Sequence, residues 1–189
     1  MAYEIEAKFR LPDKGQILVN RLEELGASSA PGYVVSDVYL KHPSRDFAQT
    51  GEAFRLRREA DSFFLTYKGP KLTTAGVKSR QEIEIGLLTS ENTAGEALLM
   101  FESLGFTQVL KVEKFRTPYS CTFQGRPFTV VLDDAGQLGF FAEIEIVLEN
   151  ETQMEQSEEL IRQMGQFLGL TDYEPRSYLR MWLEKQQMI

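Results

Sequence analysis

The tripeptide Glu-Ile-Glu occurs three times, at Glu4-Ile5-Glu6, Glu82-Ile83-Glu84 and Glu143-Ile144-Glu145, each inside a strand-like run that leads into a helix-like segment. Successive strand side chains point to opposite faces, so each copy sets two carboxylates on one face and an isoleucine on the other. Carboxylates delivered by three separate strands can converge on one cavity, and their oxygens are the ligands that Mg²⁺ or Mn²⁺ prefers. The first copy continues into Lys8, giving Glu-x-Glu-x-Lys.

Other strand-like runs carry the opposite charge with the same period: Arg55 and Arg57, Lys78 and Arg80, Lys114 and Arg116, with Lys68 closing Phe-Leu-Thr-Tyr-Lys-Gly-Pro. Cations beside a carboxylate cluster suit a polyphosphate with its metal ion, because guanidinium and ammonium groups hold the phosphate oxygens while carboxylates hold the metal. The competing reading of any single strand is a solvated face laced with cross-strand ion pairs. Against it, charge occupies one parity of nearly every strand while the other parity is apolar.

That apolar parity needs a cover, and helix-like segments supply one. Ile17, Leu18, Leu22 and Leu25 follow helical spacing after Pro12-Asp13 and stop at Gly26; Ala94, Ala97, Leu98 and Phe101 do the same after Ser90 and stop at Gly105. Thr152 and Glu155 have capping-box spacing before Leu160, Ile161, Met164, Phe167 and Leu168, with Gly169 as the stop. A last short helix is predicted from Ser177 through Tyr178, Met181 and Trp182. Helices packed outside a curled sheet would turn the charged parity inward into a shared tunnel. Such an interior is tolerable only if it is wet and its charges are paired or ligand-bound.

The 189 residues, 42% hydrophobic and 26% charged, read as one domain over 1–189 with no linker or low-complexity tract. A net charge of −7 argues against nucleic-acid and anionic-membrane partners. The chain enters a charged strand at once and holds no membrane-length apolar run, so no signal peptide and a cytoplasmic address are expected. Cys121 is the only cysteine, which excludes an intrachain disulfide and a multi-cysteine zinc site, and it reads as a strand filler. His42, the only histidine, reads as structural. A serine-triad hydrolase lacks its motif, and no P-loop or Gly-x-Gly-x-x-Gly is present, so phosphate binding would rest on side chains.

Taken in order, Glu4-x-Glu6-x-Lys8, Ser36-Asp37-Val38-Tyr39, Arg55-Leu56-Arg57-Arg58-Glu59, Lys68-Gly69-Pro70, Arg80-Gln81-Glu82, Lys114-x-Arg116, Leu132-Asp133, Phe141-Ala142-Glu143 and Arg176-Ser177-Tyr178 resemble the CYTH superfamily. These are the triphosphate tunnel metalloenzymes, which include class IV adenylyl cyclases, thiamine triphosphatases and inorganic triphosphatases. The resemblance spans the chain, and the Ser-Asp-x-Tyr, Lys-Gly-Pro and Arg-Ser-Tyr pieces look most like the cyclase branch. It implies an α+β fold, an antiparallel eight-stranded closed β-barrel with helices packed outside.

By position, the resemblance implies metal ligation by Glu4, Glu6, Asp133, Glu143 and Glu145 with Mg²⁺ or Mn²⁺. It implies triphosphate binding by Lys8, Arg55, Arg57, Lys68, Arg80, Lys114 and Arg116, and catalytic roles for Glu4, Glu6, Lys8 and Lys68. Strand parity leaves open whether Arg57 or Arg58 faces inward, and whether Glu82 and Glu84 do more than pair with neighbouring cations. Glu145 looks more like the triphosphatase pattern. The implied partner is a nucleoside triphosphate or other small triphosphate, and the resemblance is compatible with a homodimer. The reaction expected is conversion of ATP to cyclic AMP and pyrophosphate; hydrolysis of inorganic or thiamine triphosphate to orthophosphate is the alternative. A non-catalytic triphosphate-binding module is a third reading, against which stands the presence of both the acidic and the basic set.

Overall fold

In a computed structural model the chain is described over residues 2–74, 77–87, 91–150 and 153–188. The charged-and-apolar runs form strands β1 (Ala2–Arg10), β2 (Ser28–Ser29), β3 (Tyr33–Lys41), β4 (Ala53–Glu59), β5 (Ser62–Lys68), β6 (Leu72–Thr74), β7 (Val77–Leu87), β8 (Thr107–Phe123), β9 (Arg126–Asp134) and β10 (Phe140–Leu148). Eight of them close a ring in the order β1, β10, β9, β8, β3, β4, β5, β7, with β7 pairing back onto β1. All neighbours are antiparallel, and the short β2 and β6 add to β8 and β7. The predicted eight-stranded closed barrel is the observed architecture. Closure leaves the ring with no unpaired edge.

Helices α1 (Gln16–Glu24), α2 (Phe47–Thr50), α3 (Glu91–Ser103), α4 (Met154–Phe167) and α5 (Tyr178–Lys185) complete the fold. The outward parity of β1 and β10 supplies Ile5, Ala7, Phe9, Ile144 and Ile146, which pack with Leu18 and Leu22 of α1 and Ile161 and Met164 of α4. The glycine stops at Gly26 and Gly169 take left-handed φ values of 74° and 72°, which a side chain would strain. Ser177 caps α5 by accepting from the Arg180 N–H at 3.2 Å.

Three expected apolar contacts differ, one of them Ile83 of β7, which is left 44% exposed on the outward face. Ile17 is 61% exposed, because the face that presents Leu18 and Leu22 to the barrel turns its neighbour outward. Phe167 stays 41% exposed and rests on Phe123 at the rim. The capping box and the start signal of α3 fall on Thr152 and Ser90, outside the described residues; Gln153 precedes α4 without a side-chain cap. Among the described residues no helix is long and apolar enough to cross a membrane.

Candidate active site

Because the ring is closed, every inward residue faces the same space. A cavity of about 450 Å³ runs through the barrel and is lined by Glu4, Glu6 and Lys8 of β1, Arg55 and Arg57 of β4, Lys68 of β5, Arg80 of β7, Lys114 and Arg116 of β8, and Glu143 and Glu145 of β10. Parity between the two adjacent arginines is resolved: Arg57 points inward and is buried, while Arg58 is exposed and donates to the Ala60 carbonyl. Glu82 and Glu84 also line the cavity, pairing with Lys68 at 3.0 Å and accepting from the Thr66 hydroxyl at 3.0 Å.

Register divides the carboxylates proposed for metal into two groups. Glu6 lies opposite Glu145, and Glu4 follows one inward step along β1, so one carboxylate oxygen from each of the three falls within 4.8 Å of the others. Glu143 instead lies opposite Lys8, one step toward the α5 end. Asp133, fully buried, accepts from Arg116 Nε and Nη2 at 2.8 Å each, Lys114 Nζ at 2.6 Å and the Tyr178 hydroxyl at 2.8 Å. Glu143 joins this second group through Arg116 and Lys114. Asp133 and Glu143 thus stand apart from the Glu4, Glu6 and Glu145 cluster, with their oxygens turned to cations of β8.

Electrostatics follow from this division. Burial, reinforced by Glu6, Glu82 and Glu145 and opposed by Lys68, pushes the Glu4 carboxyl up. Burial with Glu143 and Glu6 likewise raises Glu145 despite Arg116. Glu6 suffers the same burial, yet Lys78, Arg80, Lys68 and Lys8 hold it well below the usual carboxylate range. Burial is also the main cause at Lys8, and with Lys78 and Lys114 nearby its ammonium falls to about 7. Two of three clustered carboxylates are therefore driven toward protonation, by burial first and by one another second. This set of oxygen donors fits a hard divalent ion of the Mg²⁺ or Mn²⁺ class.

The CYTH domain family model matches residues 2–178. The chain belongs to the CYTH family. A relative from Methanocaldococcus jannaschii, named "putative adenylate cyclase", is 34% identical over 142 residues, 75% of each chain. Among solved structures, the PH1819 protein of Pyrococcus horikoshii OT3 is 33% identical, with TM-score 0.80 over 96% of this chain and 99% of that one. The Hippeastrum protein HpAC1, described as a "putative adenylyl cyclase" with a dominant triphosphatase activity, is 15% identical and shares the fold at TM-score 0.66, over 98% and 96%.

In this CYTH chain Asp37 carries no role in the sequence reading, and Lys78 is grouped there with the strand cations without being matched to triphosphate binding. Asp37 of β3 accepts from Arg57 Nε at 2.7 Å, Arg57 Nη2 at 2.8 Å and Arg55 Nη1 at 3.3 Å, orienting both arginines. Its signal was the Ser-Asp-x-Tyr motif, but its partners depend on cross-strand register, which places Asp37 opposite Arg57. Lys78, noted as a strand cation, is buried and bonds Glu6 at 3.2 Å. His42 has a structural part: its Nδ1 accepts from the Ser44 and Arg45 N–H groups at 3.1 and 3.0 Å and so forms a turn.

Proposed function

We propose that this CYTH protein is a metal-dependent enzyme that binds an organic triphosphate, with class IV adenylyl cyclase-type conversion of ATP to cyclic AMP and pyrophosphate as its reaction. The observation that carries this reading is a second cavity of about 290 Å³ that shares Tyr39, Arg55, Lys68, Arg80 and Ser177 with the tunnel; Leu40, Phe47, Ala53, Phe54, Val109, Leu179 and Leu183 give it an apolar wall, and Lys41, Asp46, Glu52, Lys71 and Arg180 also line it. A chamber with an apolar wall and a few polar groups, beside a charged tunnel, suits a substrate with one flat, largely apolar part and one polyanionic part. Lys68 and Arg80, on the shared wall, pair with Glu4, so the phosphate nearest the apolar part would lie beside the carboxylate cluster.

In the reaction proposed, the ribose 3′-hydroxyl gives up its proton to solvent as its oxygen bonds the α-phosphorus, the bond from that phosphorus to the bridging oxygen breaks, and pyrophosphate leaves with the electron pair. Glu4, Glu6 and Glu145 would hold the divalent ion, which when bound lowers the charge on the α-phosphoryl group and its attacking hydroxyl. Lys8, Arg57, Lys114 and Arg116 would hold the leaving pyrophosphate, whose charge grows in the transition state.

Triphosphatase activity is the second reading, favoured by Glu145, whose place in the cluster provides a carboxylate for a water attacking the terminal phosphorus. Incubation of purified protein with Mg²⁺ or Mn²⁺ and ATP, thiamine triphosphate or inorganic triphosphate, with product identification, tests both. Cyclic AMP with pyrophosphate supports the cyclase reading; orthophosphate release replaces it with hydrolysis. Binding without any product would leave a non-catalytic triphosphate module.

A further inference from the structure

Lys8 is almost completely buried, and although Glu143 lies opposite it across the β1–β10 pair and Glu6 is also near, its ammonium makes no direct ion pair among the described residues. The group facing it is the ring of Tyr178, whose centroid is 4.2 Å from Lys8 Nζ. The same ring lies 4.3 Å from Lys114 Nζ, and its hydroxyl donates to Asp133 at 2.8 Å. One side chain from α5, outside the barrel wall, therefore touches candidate site residues on β1, β8 and β9.

The ring is held firmly. Phe141 packs edge-on at 5.3 Å, with Tyr39, Val112 and Met181 in the same cluster. The segment leading into α5 is bonded to the barrel beside the site: the Glu174 N–H donates to the Lys8 carbonyl at 2.8 Å, and the Glu174 carboxylate binds Arg10 and Arg176. An aromatic face attracts an ammonium without neutralising it. At Lys8 a carboxylate in the ring's place would form an ion pair and compete with an incoming phosphate; Lys114 is already paired with Asp133 at 2.6 Å, and the ring lies against its ammonium beside that pair.

We infer that Tyr178 is a positioning residue, whose ring sets the Lys8 ammonium for phosphate and packs against Lys114, while its hydroxyl ties Asp133, the ion-pair partner of Lys114. This rests on the tunnel being the triphosphate site. The alternative is a plain core residue closing the barrel floor, and the two make different predictions. Tyr178→Phe keeps the ring and loses the hydroxyl; Tyr178→Leu keeps apolar bulk and loses the ring; Tyr178→Met serves as the ringless variant if the leucine chain does not fold.

Two measurements on the full chain decide it: the ring-current shifts of the lysine ε-methylene protons in carbon-13 lysine-labelled protein, and inorganic tripolyphosphate affinity by calorimetry. Wild type and Tyr178→Phe are expected to show two upfield lysine methylene signals, assigned with Lys8→Arg and Lys114→Arg. The ringless variant should lose both signals and bind tripolyphosphate about tenfold more weakly, while Tyr178→Phe stays within about threefold of wild type. Equal affinity in the ringless variant and wild type overturns the positioning role alone, as does equal weakening in Tyr178→Phe and the ringless variant. Wild-type protein that ignores tripolyphosphate overturns the triphosphate reading itself, and this inference with it.

Discussion

Asp37→Asn isolates the electrostatic cost of assembling the cation surface. Asp37 is only 3% exposed and takes three donor contacts from two guanidinium groups, themselves buried. Asparagine matches its size and keeps one acceptor, but it removes the charge that compensates Arg55 and Arg57. Removing one partner of a buried pair costs about 3–5 kcal/mol, and the retained acceptor places this change near about 3 kcal/mol. For a domain of this size, each kcal/mol moves the melting temperature by about 2–4 °C, so the variant should melt roughly 6–12 °C below wild type.

The pH dependence has a defined sign. Burial alone would raise the Asp37 carboxyl, but Arg55 and Arg57 overcome it and hold the group below the usual carboxylate range. Its stabilisation is therefore fully present above the unfolded value of about 3.9 and lost as pH falls through the folded value. The gap between wild type and Asp37→Asn should stay flat from neutral pH to about 5 and close only in strong acid. Saturating tripolyphosphate should narrow the gap, because phosphate oxygens replace the missing charge. Thermal melts over pH with and without tripolyphosphate provide the check. A variant melting within about 2 °C of wild type, or a gap that widens with ligand, would refute the reasoning.

Glu6→Gln and Glu145→Gln should each raise the Mn²⁺ or Mg²⁺ needed for half-maximal activity and lower turnover by about 10²-fold or more while the fold persists; unchanged metal titrations in both would remove them from the metal site. Metal with tripolyphosphate should raise the melting temperature with ligand concentration, reaching about 2.7 kcal/mol at about 100 times the dissociation constant, or roughly 5–11 °C; a flat response would remove the tunnel reading. Because Glu4 is raised to about 8, Mn²⁺ binding near neutral pH must displace its proton, so metal affinity should climb as pH rises through about 8. Calorimetry in buffers of different ionisation heat measures that proton release, and pH-independent affinity with no release would count against Glu4 as a ligand.

Period-two alternation made the inside and outside of the barrel legible, because a strand's face is fixed by its own sequence. Lys8, Arg55, Lys68, Arg80, Lys114 and Arg116 all reach one cavity for that reason. Which inward residues meet was not legible, because register depends on turns and irregularities, such as the shift between Tyr39 and Leu40 where β3 meets β8. Glu143 and Glu145 share a face and a tripeptide, yet pairing sets the first opposite Lys8, against Lys114 and Arg116, and the second opposite Glu6, within reach of Glu4 as well as Arg116. Asp37 was visible as a motif without a partner for the same reason.

Register is in turn pinned by the charges it arranges. A one-residue slip of β10 would turn Ile144 into the tunnel and drive Glu143 and Glu145 against Ile161 and Met164 of α4, an apolar layer with no donor for them. Two unpaired carboxylates buried there would cost several kcal/mol each, a large fraction of the ~5–15 kcal/mol that stabilises a domain. The carboxylates that crowd the tunnel therefore also exclude the competing registers. Replacing Glu143 and Glu145 together by leucine would strip buried Arg116 and Lys114 of compensating charge and would also remove the penalty that keeps β10 in place, so both the stability and the uniqueness of the fold should fall.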